Sequence, residues 1–349
     1  MTASAHSRAR GALLGLAIGD ALGMPTQYLP RELIAERYGI LDDFHPGPDD
    51  NAISRGIPAG RVTDDTDQAV ILGRLLVDGQ GDFDPDAFAR ALLAWERRMI
   101  DAGSADLLGP STRKALALTA EGVPTGLSGR TGATNGAAMR VAPVGIACAH
   151  QPIDAFIERV VKSCLVTHNT TIGIAGAAAV AAAVSAGVGG AGLAEALHIA
   201  VEAARCGAKY GFYYAGADVA QRIVWGLELV RGRTTDEALD LIYRLVGTGV
   251  AAQETVPAAL AVCSVAPDDP WLACRLAASL GGDCDTVAAI AGAIAGACHG
   301  TEGFPARAIE ALHAANPSLG VEDLADRLLA LRGRVGDASP AQPAREAGP

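Results

Sequence analysis

The stretch Ile172-Gly173-Ile174-Ala175-Gly176-Ala177-Ala178-Ala179-Val180-Ala181-Ala182-Ala183-Val184-Ser185-Ala186-Gly187-Val188 decides the fold. Small apolar residues occupy every face of the helix it would form, and no face carries a charge. Such a helix needs cover on all sides. It is a little short to span a bilayer, and alanine and glycine supply little transfer energy. It belongs in the middle of a helix bundle, where small side chains let neighbouring axes approach closely. The run Val287 to Cys298, with Ala288, Ala289 and Ala291 to Ala293, has the same character.

Working outward, the spacing of apolar residues predicts helices over Asp86 to Ile100, Ser111 to Ala120, Ile153 to Cys164, Ala191 to Cys206, Gly216 to Val230, Thr235 to Val246, Trp271 to Leu280 and Val321 to Leu331. Capping signals precede several of them: Asp84-Pro85, Thr234-Thr235-Asp236-Glu237 and Asp268-Asp269-Pro270. Alternating β-branched runs bounded by turns are almost absent. The chain therefore reads as all-α, one compact many-helix domain over residues 8–335, with residues 1–7 and 336–349 as loose ends. Three long irregular segments are expected at Leu41 to Val62, Glu121 to Gly136 and Val246 to Pro257, and long loops in a compact domain are usually functional.

Composition excludes several classes. Of 349 residues, 50% are apolar and 19% charged, which is a folded make-up rather than a disordered one. A net charge of −11 argues against a nucleic-acid polymer or an anionic membrane surface as partner, and 4% aromatics argues against a base-stacking platform. The seven cysteines contain no C-x-x-C pair and are odd in number. They read as buried free thiols of a cytoplasmic protein, a monomer or small homo-oligomer. Arg8, Arg10 and the run Gly11 to Ile18 only loosely imitate a signal peptide, since Asp20 interrupts the run.

The chemistry is carried by four motifs. Thr63-Asp64-Asp65-Thr66-Asp67 opens an apolar helix over Gln68 to Val77. One N-cap residue would suffice there, and adjacent carboxylates repel unless a cation lies between them. Gly281-Gly282-Asp283-Cys284-Asp285-Thr286 repeats the grammar before the second small-residue helix. Together they offer Thr63, Asp64, Asp65, Asp283, Asp285 and Thr286, all hard oxygen donors suited to Mg²⁺, Mn²⁺ or Ca²⁺ rather than Zn²⁺. Four carboxylates could hold two ions, which could activate water and bind substrate oxygens. Asp283-x-Asp285-x-Val287 also matches a phosphatase pattern of the haloacid-dehalogenase type, but that pattern should follow a strand early in an α/β domain. The third motif runs Gly126 to Arg140, where glycines let backbone N–H groups crowd an anion or a sugar diol. The fourth is Thr167-His168-Asn169-Thr170-Thr171. A histidine there is either a packed ring or a functional group.

In order along the chain, Gly11-Ala12-Leu13-Leu14-Gly15-Leu16-Ala17-Ile18-Gly19-Asp20-Ala21-Leu22-Gly23, Thr63-Asp64-Asp65-Thr66, Asn135-Gly136-Ala137-Ala138-Met139-Arg140 with Pro143 and Gly145, Thr167-His168 and Gly282-Asp283-x-Asp285-Thr286 resemble the ADP-ribosylglycohydrolase (DraG-like) family. The resemblance implies an all-α fold, a centre of two divalent cations (Mg²⁺ or Mn²⁺), and hydrolysis of a ribosyl glycosidic bond in a small-molecule ribosyl or ADP-ribosyl substrate. It implies Thr63, Asp64, Asp65, Asp283, Asp285 and Thr286 as metal ligands, with Asp65 and Asp285 also catalytic. Gln27, Gly132, Asn135, Gly136, Met139 and His168 are the expected substrate-binding set, His168 at the pocket wall. One departure stands out. Many members place a Glu after the G-D-A-L-G segment, where this chain has Gln27, which cannot be a general base. A nucleoside or small ribosyl-glycoside hydrolase on the same metal site, or an inactive relative that only binds a ribosyl ligand, are the competing functions. Asp20 is expected to be structural.

Overall fold

The computed structural model describes residues 3–101, 103 and 108–333. It contains eighteen α-helices and, among the described residues, no strand. The Thr171–Val188 helix lies at the centre as expected, capped by Thr170, whose hydroxyl accepts from Gly173 N at 3.1 Å. By length and composition this helix could cross a membrane, but 94% of it is buried inside the protein.

A second contact organises the site. The first helix, Ala5–Gly23, packs backbone to backbone against the Cys284–His299 helix. Gly11, Gly15, Gly19 and Gly23 recur every fourth residue and so share one helix face. A Cβ placed on Gly15 would lie 2.1 Å from Gly292 O, on Gly19 2.0 Å from Ala288 O, and on Gly23 2.3 Å from Asp285 Cα. The partner is equally bare, since a Cβ on Gly296 would lie 2.0 Å from Gly11 O. The order of these pairs makes the two helices antiparallel. The end of the first helix therefore meets the start of the second, and Asp20 and Gln27 arrive beside Asp283–Thr286.

The structure departs from the sequence reading in several places. The chain enters its first helix at Ala5, with Ser4 accepting from Ser7 N, so residues 5–7 are not a loose end. The 336–349 tail lies outside the described residues. Residues 252–257, expected to be irregular, begin the Ala252–Val265 helix, which carries Pro257 inside it. Proline removes the N–H that Gln253 O would accept, and Arg222 Nε donates to that carbonyl instead at 3.2 Å. The predicted Thr235 to Val246 helix is α-helical to Leu241 and then widens to a π turn over Ile242–Val246. The Arg31–Tyr38 and Ala306–Ala315 helices are additional to those expected; the first has almost no amphipathic periodicity, whereas the second carries it clearly. All seven cysteines are free, and six are buried.

Substitution tests the backbone contact. Gly15→Val is expected to lower the unfolding free energy by about 3 kcal/mol through overpacking against backbone that cannot yield. Gly126→Ala, where nothing lies within 4 Å of the added carbon, should stay within about 0.5 kcal/mol of wild type. Equal stabilities in chemical denaturation would mean that the two helices do not touch.

Candidate active site

Two helix starts face each other. The Asp64–Asp78 helix is not capped by its own acids. Asp20, fully buried on the first helix, reaches across and accepts from Thr63 N at 2.9 Å, Thr66 N at 3.2 Å and Thr66 Oγ1 at 2.5 Å. This is the structural role expected of Asp20. Thr63 occupies the N-cap, its hydroxyl accepting from Asp65 N at 3.4 Å, and does not reach the cleft. Asp67 turns away and accepts from Trp95 Nε1 at 2.9 Å. On the other helix, Asp283 sits at the N-cap yet caps nothing. Asp64, Asp65, Asp283 and Asp285 are thus surplus to capping, and all four line one cleft of about 100 Å³. A hydrogen bond from Thr286 Oγ1 to Asp65 Oδ1, 3.3 Å, ties the two motifs together.

The electrostatics are those of uncompensated charge. Burial pushes the Asp20 and Asp283 carboxyls up to about 6. Asp64, Asp65 and Asp285 are raised further, by burial first and then by neighbouring carboxylates: Asp20 on Asp64, Asp285 on Asp65, Asp283 on Asp285. Asp65 Oδ2 and Asp285 Oδ1 are buried with no hydrogen-bond partner. Among the described residues, no three acidic, histidine or cysteine side chains converge closely enough to hold an ion as they stand. The orphaned oxygens and the purely hard donor set fit a divalent ion of the Mg²⁺ class.

The glycine-rich loop supplies the opposite wall. Asn135 Nδ2 donates to Asp283 Oδ2 and, at 2.9 Å, to Thr255 Oγ1. Its amide therefore holds a carboxylate rather than standing free for a ligand. Asn135, Gly136, Met139 and Gln27 line the cleft as expected. The buried Gln27 Nε2 has no partner, and its backbone carbonyl accepts from Asn51 Nδ2 at 2.8 Å. That bond pins the Leu41 to Val62 segment to the site, where Ile53 joins the wall.

Two expected contact residues lie behind the wall. His168 is fully buried and absent from the cleft lining. Its ring backs onto Gly136, where a Cβ would sit 2.8 Å from His168 Cε1. Burial, then the nearby Arg140 charge, hold its pKa well below the ordinary value, so the ring is neutral. Gly132 is there for close approach: a Cβ would lie 1.9 Å from Thr167 O.

Several cleft residues escaped the sequence reading. Tyr28 is 54% exposed, lines the cleft and has φ 60°, a conformation rare outside glycine and one that collects at functional sites. Its N–H donates to Gly282 O at 2.6 Å, and Gly282 N returns a bond to Leu29 O at 3.2 Å, so the turn is locked to the second acid motif. Leu108, Gly109, Pro110 and Thr112 also line the walls, with Thr134 from the glycine-rich motif and Val250 from the irregular segment before Pro257. Adjacency to Gln27 could have flagged Tyr28. A groove of about 690 Å³ between the Leu193–Gly207 and Val219–Val230 helices lies apart from the acidic motifs.

An all-helical bundle with two acid-rich helix starts across one cleft defines the class, and the comparisons name it. The ADP-ribosylglycohydrolase family model matches residues 1–338. An uncharacterized protein of Escherichia coli, YegU, is 36% identical over 84% of this chain and 88% of its own length. The ADP-ribosylarginine hydrolase Tri1 of Pseudomonas putida is 33% identical over 88% of this chain and 74% of its own. A solved structure described as an ADP-ribosylglycohydrolase-related protein complex superposes with TM-score 0.70 at 29% identity, covering 94% of this chain and 99% of that one. The chain belongs to the ADP-ribosylglycohydrolase family and is a glycohydrolase by class.

The raised carboxyls fix a pH dependence. A group that keeps its proton to higher pH when folded binds more protons folded than unfolded. Metal-free stability should therefore fall as pH climbs from about 4, the unfolded value, through about 6 and beyond. A divalent cation binds the ionised form and opposes that fall. The gap in Tm between Mg²⁺ and EDTA samples should widen with rising pH across this window. A gap that is absent, or flat with pH, would contradict the assignment.

Proposed function

We propose that the chain is a divalent-metal-dependent hydrolase of a ribosyl glycosidic bond, acting on ADP-ribose joined to a side chain or small molecule. The observation that carries this reading is the pair of buried, unpartnered carboxylate oxygens, Asp65 Oδ2 and Asp285 Oδ1, on facing helix starts. Family membership and the Tri1 relative's name support ADP-ribosyl-arginine as the first substrate to try.

Asp64, Asp65, Asp283 and Asp285 would hold two ions, Mg²⁺ or Mn²⁺, helped by Thr286 and, through the helix start it caps, Thr63. Bound there, the ions would polarise a water and the ribose hydroxyls. The chain's own residues do the rest. Asp65 or Asp285 takes the one proton that the attacking water releases as its oxygen bonds to C1′, and that proton passes to the aglycone as the C1′–aglycone bond breaks; the other carboxylate steadies the positive charge growing at C1′. Gln27 Nε2, buried and without a partner, donates to a substrate oxygen rather than accepting a proton. Asn135 keeps Asp283 aimed at the cleft. Gly136 and Met139 shape the wall against the sugar. The free, mostly buried thiols support a cytoplasmic location.

The small cleft volume favours a second reading, a nucleoside or small ribosyl glycoside as substrate on the same centre. A substrate panel separates the two. Metal-dependent release of ADP-ribose from ADP-ribosyl-arginine or ADP-ribosyl-serine is the expected result. Release of ribose or a free base selects the second reading, and ligand-dependent stabilisation without any product would leave a binding protein. Asp64→Ala and Asp285→Asn should each lower kcat/KM by about a thousandfold, near 4 kcal/mol of transition-state stabilisation. Wild-type turnover in either variant, with metal content unchanged, would sink the proposal.

A further inference from the structure

A chain of buried hydrogen bonds runs behind the wall from one side of the cleft to the other, and Arg140 sits in its middle. The Arg140 side chain is fully buried, its guanidinium 5.0 Å above the Phe88 ring. Burial lowers its pKa only to about 10, so it stays charged and can only donate. Nη1 donates to Gln68 Oε1 at 2.9 Å. This fixes the orientation of the Gln68 amide, and Nε2 then donates to Asp64 Oδ2 at 2.8 Å. In the other direction Nη2 donates to Thr167 Oγ1 at 2.5 Å. Thr167 is itself fully buried, and the acceptor its hydroxyl meets is His168 Nδ1, at 2.7 Å. His168 must then carry its proton on Nε2, which faces Thr134 Oγ1 at 2.8 Å. Thr134 accepts that bond, so its own hydroxyl hydrogen turns elsewhere, and Thr134 lines the cleft.

We propose that Thr134 is a ligand-binding residue, its O–H presented to the cleft as a donor for a phosphate or ribose oxygen, with the direction of the whole hydrogen-bond chain set by Arg140. The proposal rests on the ribosyl reading above and adds to it a specific contact and the buried device that orients it. His168 thereby acts as a positioning residue rather than a contact residue.

Two measurements on the full-length protein test this. The first reads the His168 ring by ¹⁵N NMR in metal-free protein, with the signal assigned by His168→Gln. The neutral Nε2–H tautomer is expected, and a proton on Nδ1 would overturn the chain's direction. The second is calorimetric binding of ADP-ribose with Mg²⁺. Thr134→Val should weaken it about three- to tenfold, the worth of one neutral hydrogen bond, while Thr134→Ser restores it. Unchanged affinity in Thr134→Val, with Tm as in wild type, would overturn the contact. If wild-type protein ignores ADP-ribose, the ribosyl reading fails instead, and the His168 tautomer still decides whether the chain presents Thr134 as a donor.

Discussion

Backbone-to-backbone contact between the Ala5–Gly23 and Cys284–His299 helices is the constraint on which the site depends. Glycine at every fourth position removes the side chains that would hold the two axes apart, and the antiparallel pairing then sets the register. The last turn of one helix must meet the first turn of the other. From that register follow the positions of Asp20, of Gln27 with the strained Tyr28 beyond it, and of the acids at 283 and 285. Asp20 in turn captures the start of the Asp64–Asp78 helix through three donors. Two motifs more than two hundred residues apart in sequence become one cleft because small residues let the helices close.

Charge is the opposing force. Five buried carboxylates lie together, and each is costly to bury and repels the next. Asp20 is repaid by the hydrogen bonds of the helix it caps, and Asp283 by Asn135. Arg140 is a buried cation close by, but it reaches the cluster through the Gln68 amide rather than by direct pairing. Asp65 and Asp285 each retain an oxygen with nothing to accept from. Helix capping does not account for these residues, since Thr63 and the distant Asp20 cap the Asp64–Asp78 helix and Asp283 makes no capping bond. A bound divalent cation would account for the surplus, and the same buried acids that would destabilise the empty fold would then hold the ions.

Much of this was legible in the sequence, for identifiable reasons. The all-α class followed from uninterrupted small-residue and amphipathic runs, and the two acid motifs were conspicuous because both precede apolar helices. The helix over Ala252–Val265 was not legible, because Pro257 signals a break and nothing local shows that Arg222 will serve the freed Gln253 carbonyl. The family resemblance puts His168 and Gly132 in the substrate-binding set, with His168 at the pocket wall. Burial decides otherwise, and burial is a tertiary property. Thr134 lies in the glycine-rich motif whose hydroxyls read as ligand partners, but its bond to His168, 34 positions away, and the chain beyond it are tertiary contacts that no local pattern encodes.

The family places the chain among the ADP-ribosylglycohydrolases, and the proposed site would draw on carboxylates collected at two helix starts, aimed by amides and by one another. We propose that these carboxylates hold cations between the two motifs. Anomalous scattering from crystals soaked in Mn²⁺ locates any such ion. Strong peaks are expected between Asp64–Asp65 and Asp283–Asp285, with Asp65 Oδ2 and Asp285 Oδ1 turned onto them. Crystals that diffract well and show no peak there, or a peak held by other residues, would contradict the proposal.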